Sequence, residues 1–435
     1  MNIMKQFFSC TKPYVIPAYY DNLRNYKYKS ADASITYKYV ISPLCNHLVK
    51  LFPEWVAPNV ITVSGFFLNA LYFSVTSYYT KFKGGHVPLW ACIFSAFCYL
   101  IYQILDNIDG KQARRTNSSS ALGLLVDHGT DSCTTFFITC GLGAIFGLNS
   151  INQYILLWIM IIVPFYLNNW EQYVTGQLSL PCINGINEGT ILLFILEIVF
   201  GIMGQDFFIE HEITINDRSY QLNTLITFCF FCSGILFGLV SVFKVIFSDY
   251  DKKCSALIDI LPFFYFFAGF FPIVYLTDST IVSDYPQLLI VTFGFYFAKM
   301  LGLLQLSHLT KARFNPYNVT FILPNLCFII HSIIYFFVKE KRILFISIDD
   351  LILFFLAFNF LSWLHFAYFC SKELCIILGI YRFSLKKRED EKVHLKESDE
   401  GNDANEPTEG NEKKESNDPN EERITIKSNT SEVEP

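Results

Sequence analysis

The chain has 435 residues, of which 52% are apolar and only 17% are charged, whereas soluble globular proteins carry about 25% charged residues. This composition excludes a set of ordinary soluble domains, because the apolar residues occur in long runs without charge. The net charge of −6 comes from residues 389–435, which hold 16 acidic and 6 basic residues, so it gives no support to a nucleic-acid partner.

Residues 1–56 are predicted to form a cytoplasmic segment with one helix on the membrane surface. Between residues 34 and 52, apolar residues recur at roughly helical spacing: Ile35, Tyr39, Leu44, Leu48 and Leu51. Lysines lie among them, and this pattern is typical of an amphipathic helix in the membrane interface. A plain connecting helix is the alternative.

Ten windows that are long and apolar enough to cross a bilayer follow. A spanning helix needs about 20 mostly apolar residues, and a helix exposed to water would instead keep one polar face. The windows are 57–80, 87–105, two within 132–170, 189–204, 219–243, 260–277, 285–306, 315–338 and 351–371. The sequence therefore predicts an all-α integral membrane protein with about ten transmembrane helices.

Four aspartates stand at the ends of two neighbouring windows. Asp106 and Asp109 share one helix face at spacing i, i+3, and Asp127 and Asp131 share another at i, i+4. If the two helices are antiparallel, the four carboxylates converge, and such a group needs positive countercharge. Mg²⁺ binds oxygen ligands and keeps positions open for phosphate. Two such ions would suit a phosphoryl displacement.

The residues between these aspartates suit the same chemistry. Gly110 and Gly123 allow a phosphate or nucleotide to approach the backbone, and Ala113 keeps the face narrow. Arg114 is predicted to bind phosphate through two hydrogen bonds, with Lys111 as a nearby point charge.

His128 is the side chain of this cluster whose ordinary pKa lies near neutrality. We interpret it as the base that takes a proton from an attacking hydroxyl, and we assign the catalytic roles to His128 and Asp131. A structural hydrogen-bonding role is the alternative for His128.

The pattern of these residues resembles the signature of the CDP-alcohol phosphotransferase family. The matching pattern is Asp106-x2-Asp109-Gly110-x2-Ala113-Arg114-x8-Gly123-x3-Asp127-x3-Asp131. Residues 23–32, 51–62, 170–176 and 184–189 are similar to the eukaryotic choline/ethanolaminephosphotransferases in particular.

The resemblance implies an all-helical, ten-span homodimer in the endoplasmic reticulum or Golgi membrane. It implies transfer of phosphoethanolamine or phosphocholine from CDP-ethanolamine or CDP-choline to diacylglycerol, with release of CMP. The four aspartates would hold two Mg²⁺ or Mn²⁺ ions, and His128 would be the base. Positions that match those around the CDP moiety are Asn59, Gly110, Ala113, Arg114 and Gly123. Positions that match a head-group or lipid site are Trp170, Thr175 and Glu188.

Two other functions stay open. A relative that uses CDP-diacylglycerol would transfer phosphatidyl to inositol, serine or glycerol phosphate with the same aspartates. A transporter with buried acids is the second, although its charges would be spread over several depths. The choice between ethanolamine and choline is also open.

We divide the chain into four parts on this basis. The cytoplasmic segment is 1–56, the catalytic transmembrane core is 57–205, and helices for lipid access and dimerisation are 206–375. Residues 376–435 form the predicted acidic, disordered tail, because they are too polar to bury a core. Basic loops that ten spans would place on one side predict that both termini and the site face the cytoplasm.

Overall fold

The computed structural model describes residues 13–248, 253–339, 342–343 and 346–386. Short elements come first: α1 (Tyr20–Arg24), β1 (Ser30–Asp32), a π-helical turn (Tyr37–Ile41), α2 (Ser42–Leu48) and a 3-10 turn (Val49–Leu51). The first half of the chain continues with α3 (Pro58–Thr80), α4 (Leu89–Arg115), α5 (Ala121–Ile145), α6 (Ile151–Thr175), β2 (Leu178–Leu180), α7 (Asn187–Met203) and α8 (Gln205–Glu210). The second half contains β3 (Glu212–Ile215), β4 (Arg218–Gln221), α9 (Leu222–Phe247), α10 (Lys253–Ile258), α11 (Leu261–Leu276), α12 (Thr280–Asp284), α13 (Pro286–Thr310), α14 (Val319–Val338), β5 (Arg342–Ile343), β6 (Ile346–Ser347) and α15 (Ile348–Leu378).

Eight helices in the described part of the chain are long and apolar enough to cross a membrane. They are α3, α4, α6, α9, the stretch Ser255–Leu276 that includes α11, α13, α14 and α15. These helices confirm the predicted all-α membrane protein. At the two other predicted positions lie α5, which carries Asp127 and Asp131, and α7, which has only 17 residues. The predicted count of ten spans is not confirmed.

Within the residues that the structure describes, the segments between the helices form three small two-stranded sheets, which the sequence did not predict. Strands β3 and β4 form one antiparallel hairpin, and β5 and β6 form another. Strand β1 pairs in parallel with β2, with Ser30 opposite Leu178 and Asp32 opposite Leu180. This pairing joins the N-terminal segment to the loop that follows α6, about 150 residues later along the chain.

The predicted surface helix corresponds to the helical turns from Tyr37 to Leu51. Its buried side chains are Ile41, Cys45 and Val49, which follow each other at intervals of four and pack in one cluster with Ile61 and Ile108. Of the five residues that the sequence singled out, Leu48 packs against this cluster, whereas Ile35, Tyr39, Leu44 and Leu51 are exposed. An exposed apolar face beside buried contacts is the arrangement expected of a helix on a membrane surface.

The core contains close contacts between glycines and aromatic rings. Gly141 of α5 lies against the ring of Tyr72 from α3, and a Cβ at this position would overlap the ring. Gly143 of α5 makes the same kind of contact with Tyr154 of α6. Protein interiors are packed as densely as organic crystals, so these contacts set the spacing of helices that also carry the candidate site.

Helix α15 continues beyond the predicted start of the tail at residue 376. Its last turn is held by buried Leu374 and Cys375, and it ends at Leu378, where Gly379 adopts the left-handed conformation with φ of 64°. Residues up to 386 also belong to the folded part. The rest of the predicted disordered tail, 387–435, lies outside the described residues.

Candidate active site

The aspartates occupy facing ends of α4 and α5. The chain leaves α4 after Arg115 and begins α5 at Ala121, and the Ser120 hydroxyl caps α5 by accepting the Gly123 N–H at 3.2 Å. The short connection makes the two helices antiparallel, as predicted. Asp106 and Asp109 on the last turns of α4 therefore meet Asp127 on the first turns of α5.

Three of the four carboxylates form a compact group. Asp106, Asp109 and Asp127 each offer an oxygen within 4.8 Å of the others. Asp109 accepts a hydrogen bond of 2.5 Å from the Thr62 hydroxyl. One oxygen of Asp127 is buried without a hydrogen-bond partner in the described structure. A buried carboxylate oxygen without a partner is costly, so this donor set fits a hard divalent cation that binds oxygen.

Asp131 lies outside that group of three. Its carboxylate accepts a hydrogen bond of 2.5 Å from the Tyr102 hydroxyl, one helix away on α4. Both residues face a cavity that Asp106 also lines. Asp131 is therefore placed between the carboxylate group and the cavity.

His128 is buried and its ring has a defined hydrogen-bonding environment. Its Nδ1 is 2.6 Å from the side-chain oxygen of Asn169 on α6. The Asn169 amide nitrogen donates to the Phe165 carbonyl at 2.6 Å, which turns its oxygen towards the histidine. That oxygen only accepts, and it lies closer to Nδ1 than the competing Gln305 amide nitrogen at 3.0 Å, so it favours the tautomer with the proton on Nδ1 and the lone pair of the neutral ring at Nε2. Nε2 is thus the atom that is able to act as a base.

Four of the predicted substrate-binding residues lie next to each other in two pairs, Arg114 with Gly110 and Asn59 with Gly123. The Arg114 guanidinium folds back over Gly110, with Nη1 3.6 Å from the place a Cβ would take. Asn59 lies at the start of α3, and its side-chain oxygen is 3.9 Å from the place that a Cβ on Gly123 would take. Ala113 is partly buried on the face of α4 between these glycines.

Lys111, predicted as a point charge near the phosphate, makes hydrogen bonds to the N-terminal segment. Its ammonium donates to the Ser42 hydroxyl at 3.0 Å and to the Asn46 side-chain oxygen at 2.9 Å. Arg115 reinforces this contact by donating to the carbonyls of Val49 and Phe52. Both cations therefore fasten the surface helix to the end of α4, which the spacing of charges alone did not indicate.

The predicted head-group residues separate in the structure. Trp170 is fully buried and donates to the Ala256 carbonyl at 2.9 Å, and Thr175 bonds to the Glu171 carbonyl of its own helix. Trp170 and Thr175 are not among the described residues that line the cavity beside Asp106 and Asp131. Glu188 does line it, but its carboxylate also accepts from the Ser34 hydroxyl at 2.6 Å.

Glu188 ties the N-terminal segment to the loop before α7. Besides Ser34, it accepts the Thr36 N–H at 3.0 Å and the Asn184 N–H at 2.9 Å. Nearby, Asp32 accepts from the Asn187 amide at 3.0 Å. Burial raises the pKa of Asp32, while its hydrogen bonds oppose that rise. These bonds extend the β1–β2 pairing.

A cavity of about 330 Å³ runs from the aspartates into the membrane region. Its walls come from α4, α5, α6, α7 and α9, and they are mostly apolar. Asp106 and Asp131 stand at its polar end, whereas Ile138, Met160 and Phe230 line its apolar end. Leu192 of α7 and Val240 of α9 line it and are exposed, so the cavity reaches the surface between these two helices.

The sequence is similar to those of known proteins. The family model described as CDP-alcohol phosphatidyltransferase matches residues 55–171. Ethanolaminephosphotransferase 1 of Mus musculus is 30% identical over 404 residues, which cover 89% of this chain and 98% of the relative. The chain belongs to the CDP-alcohol phosphotransferase family. Choline/ethanolaminephosphotransferase 1 of Arabidopsis thaliana is 29% identical, covering 84% of this chain and 97% of the relative. Cholinephosphotransferase 1 of Saccharomyces cerevisiae is 28% identical, covering 74% and 85%.

Several residues of this CDP-alcohol phosphotransferase site were missed by the sequence analysis. Asn169 and Gln305 are fixed beside His128, with Gln305 also donating to Asn169. Thr62 and Tyr102 bind the aspartates. The available signal was a polar side chain inside an apolar window, since such side chains are rare in membrane helices.

Tyr28 was missed as well, because it lies on the irregular segment before β1. Burial of its hydroxyl raises the pKa of Tyr28, and the negative charges of Asp127 and Asp106 raise it further. The residue as a whole is 44% exposed.

Proposed function

We propose that this protein transfers phosphoethanolamine or phosphocholine from CDP-ethanolamine or CDP-choline to diacylglycerol, which yields a phospholipid and CMP. One observation carries the proposal. The compact carboxylate group, suited to a nucleotide diphosphate with its cations, shares Asp106 with an apolar cavity that reaches the membrane-facing surface. The CDP donor at the carboxylates and the lipid acceptor in the cavity would therefore lie next to each other.

The names of the relatives support both head groups. The relative from Mus musculus is named for ethanolamine, the one from Saccharomyces cerevisiae for choline, and the one from Arabidopsis thaliana for both. We propose ethanolamine or choline as the head group for this chain on that ground.

Asp106, Asp109 and Asp127 would hold the divalent cations, with Asp131 beside them, and we propose two Mg²⁺ or Mn²⁺ ions. When bound, such ions neutralise the diphosphate and the departing CMP. Among the protein's own groups, Arg114 over Gly110 offers positive charge for phosphate oxygens. Fixed charges of this kind stabilise a developing phosphate charge without having to reorganise.

His128 would move the proton. The diacylglycerol hydroxyl gives its proton to Nε2, and the oxygen forms a bond to the phosphorus that carries ethanolamine or choline. The bond from that phosphorus to the oxygen of CMP breaks, and the electron pair leaves with CMP. Asn169 keeps Nε2 unprotonated before the reaction by accepting from Nδ1.

The walls of the cavity would orient the acceptor. Its apolar end suits acyl chains, and its polar end holds Asp131 and Glu188. Holding the hydroxyl next to the phosphorus removes much of the entropic barrier of a two-substrate reaction. Trp170 and Thr175, on the part of α6 that does not line the cavity, would support this wall. Glu188 of α7 would close it through its hydrogen bonds to the N-terminal segment.

We also propose the membrane placement and assembly. The site lies at the ends of α4 and α5 beside Lys111 and Arg115, and positive residues favour the cytoplasmic side. The site and both termini would therefore face the cytoplasm in the endoplasmic reticulum or Golgi membrane. Helices beyond residue 206 would serve lipid access and formation of a homodimer.

The test is a reconstituted reaction. The purified protein is given labelled CDP-ethanolamine or CDP-choline with diacylglycerol and Mg²⁺, and both phospholipid and CMP are measured. Formation of both products from either donor is expected. If neither donor reacts, the proposal is rejected. Turnover only of CDP-diacylglycerol with inositol, serine or glycerol phosphate would replace it with the alternative transfer.

A further inference from the structure

The chain turns back on itself after α15. Gly379, in the left-handed conformation, donates its N–H to the Ile376 carbonyl at 3.2 Å, and the Ile380 N–H reaches the Cys375 carbonyl at 3.0 Å. This is the usual way in which a glycine ends a helix. Ile380 then packs against the apolar cluster that contains Leu122 of α5. We call residues 379–382 the C-terminal hook.

The side chain of Arg382 holds the hook against α15. Its guanidinium donates to the Tyr368 carbonyl at 3.1 Å and lies 5.3 Å from the centre of the Tyr368 ring. A cation over an aromatic ring adds to the attraction. The side chain thus points back along α15, and the backbone of Arg382 is held on the opposite side, towards α3.

The backbone of Arg382 contacts a residue of the site. Its carbonyl accepts a hydrogen bond of 2.8 Å from the Asn59 side-chain amide, across 323 positions of sequence. Asn59 is 9% exposed. With its nitrogen bound to the hook, the side-chain oxygen is the end that lies towards Gly123. The hook therefore decides which end of the carboxamide faces the signature.

We propose that the C-terminal hook is a positioning element for the nucleotide. By holding the Asn59 nitrogen, it presents the Asn59 oxygen as an acceptor for an N–H or O–H group of the nucleoside. This inference rests on the proposed function, because it takes Asn59, which lies beside Gly123 of the signature, to face the CDP donor. Without the hook, the carboxamide is free to rotate and present a donor instead.

The test measures binding of CMP to the full-length protein by calorimetry, so it needs no turnover. Arg382→Ala removes both the hydrogen bond and the cation of the anchor, whereas Tyr368→Ala removes only the ring beneath the guanidinium, because the backbone carbonyl stays. Tyr368→Phe is the matched control that keeps the ring. Arg382→Ala is expected to bind CMP about three- to tenfold more weakly, the range expected for one hydrogen bond, and Tyr368→Ala should weaken binding by a smaller factor. Tyr368→Phe should bind as the unmodified protein does.

A second readout separates positioning from damage to the fold. The KM for the CDP donor should rise in both alanine variants, whereas the KM for diacylglycerol and the thermal midpoint should stay the same. Unchanged CMP binding in both variants overturns the inference, and so does an equal rise of both KM values. If the unmodified protein binds CMP but transfers no phospholipid head group, the proposed function fails while the CMP comparison still decides the role of the hook.

Discussion

Replacing Asn169 by Ala should slow catalysis by changing which nitrogen of His128 carries the proton. In the structure, the Asn169 oxygen accepts from Nδ1 at 2.6 Å, which leaves Nε2 as the base. The Gln305 amide nitrogen lies 3.0 Å from the same Nδ1. Once the Asn169 oxygen is gone, Gln305 donates to Nδ1, the proton moves to Nε2, and the base is lost.

The magnitude follows from the bond that is removed. A hydrogen bond of this kind contributes about 0.5–1.5 kcal/mol, and about 1.4 kcal/mol corresponds to a tenfold change in rate. We expect kcat to fall about two- to tenfold while the KM for the CDP donor is unchanged. Adding Gln305→Leu should restore part of the rate, because the competing donor is then absent.

The assay is steady-state release of CMP from CDP-ethanolamine with saturating diacylglycerol. Asn223→Ala is the matched control, since Asn223 is also a buried asparagine that donates to a helix carbonyl, Phe146, but lies far along the chain from the signature. The control should keep kcat. In a His128→Ala background, Asn169→Ala should cause no further loss. A normal kcat in the Asn169 single variant, or a full further loss in that background, would refute the reasoning.

Three further outcomes are expected. Asp127→Asn should abolish CMP release and lower Mg²⁺ binding in titration calorimetry, and retained binding would contradict the assignment. Ser233→Trp, which fills the cavity, should raise the KM for diacylglycerol, whereas Leu236→Trp on the exposed face of α9 should leave it unchanged; equal effects would count against the lipid role. Gly141→Ala should destabilise the fold by about 1–3 kcal/mol, which would be seen as a lower thermal midpoint. Gly129→Ala should leave the midpoint unchanged, because a Cβ at Gly129 would meet open space. Equal midpoints for the two variants would show that the ring of Tyr72 can move aside for the added methyl group.

The helices could be predicted because their cause is local. Runs of apolar residues that are long enough to span lipid produced α3, α9 and α14 near the expected places. The short strands could not, since β1 pairs with β2 across a distant part of the chain and neither has a pattern of its own. The extent of α15 was also missed, because its last turn is stabilised by packing rather than by lipid.

The aspartates could be predicted because helix geometry converts their spacing into a shared face. Three of the four expected members, Asp106, Asp109 and Asp127, form a compact group, and Asp131 lies beside it. The hydrogen-bond partners of Lys111 and Glu188 on the N-terminal segment could not be predicted, because they are set by tertiary contacts. A charged residue near a site has many possible partners, and spacing alone does not choose among them.

The ring of Tyr72 against Gly141 has a consequence for motion. Sliding α3 past α5 by one helical turn, as some proteins do when they switch states, would bring the side chain of Phe137 or Ile145 to the ring in place of the glycine. Steric overlap with the ring excludes that register. A one-turn slide of α3 along α5 is therefore closed to the protein as a way of exchanging the nucleotide and the lipid.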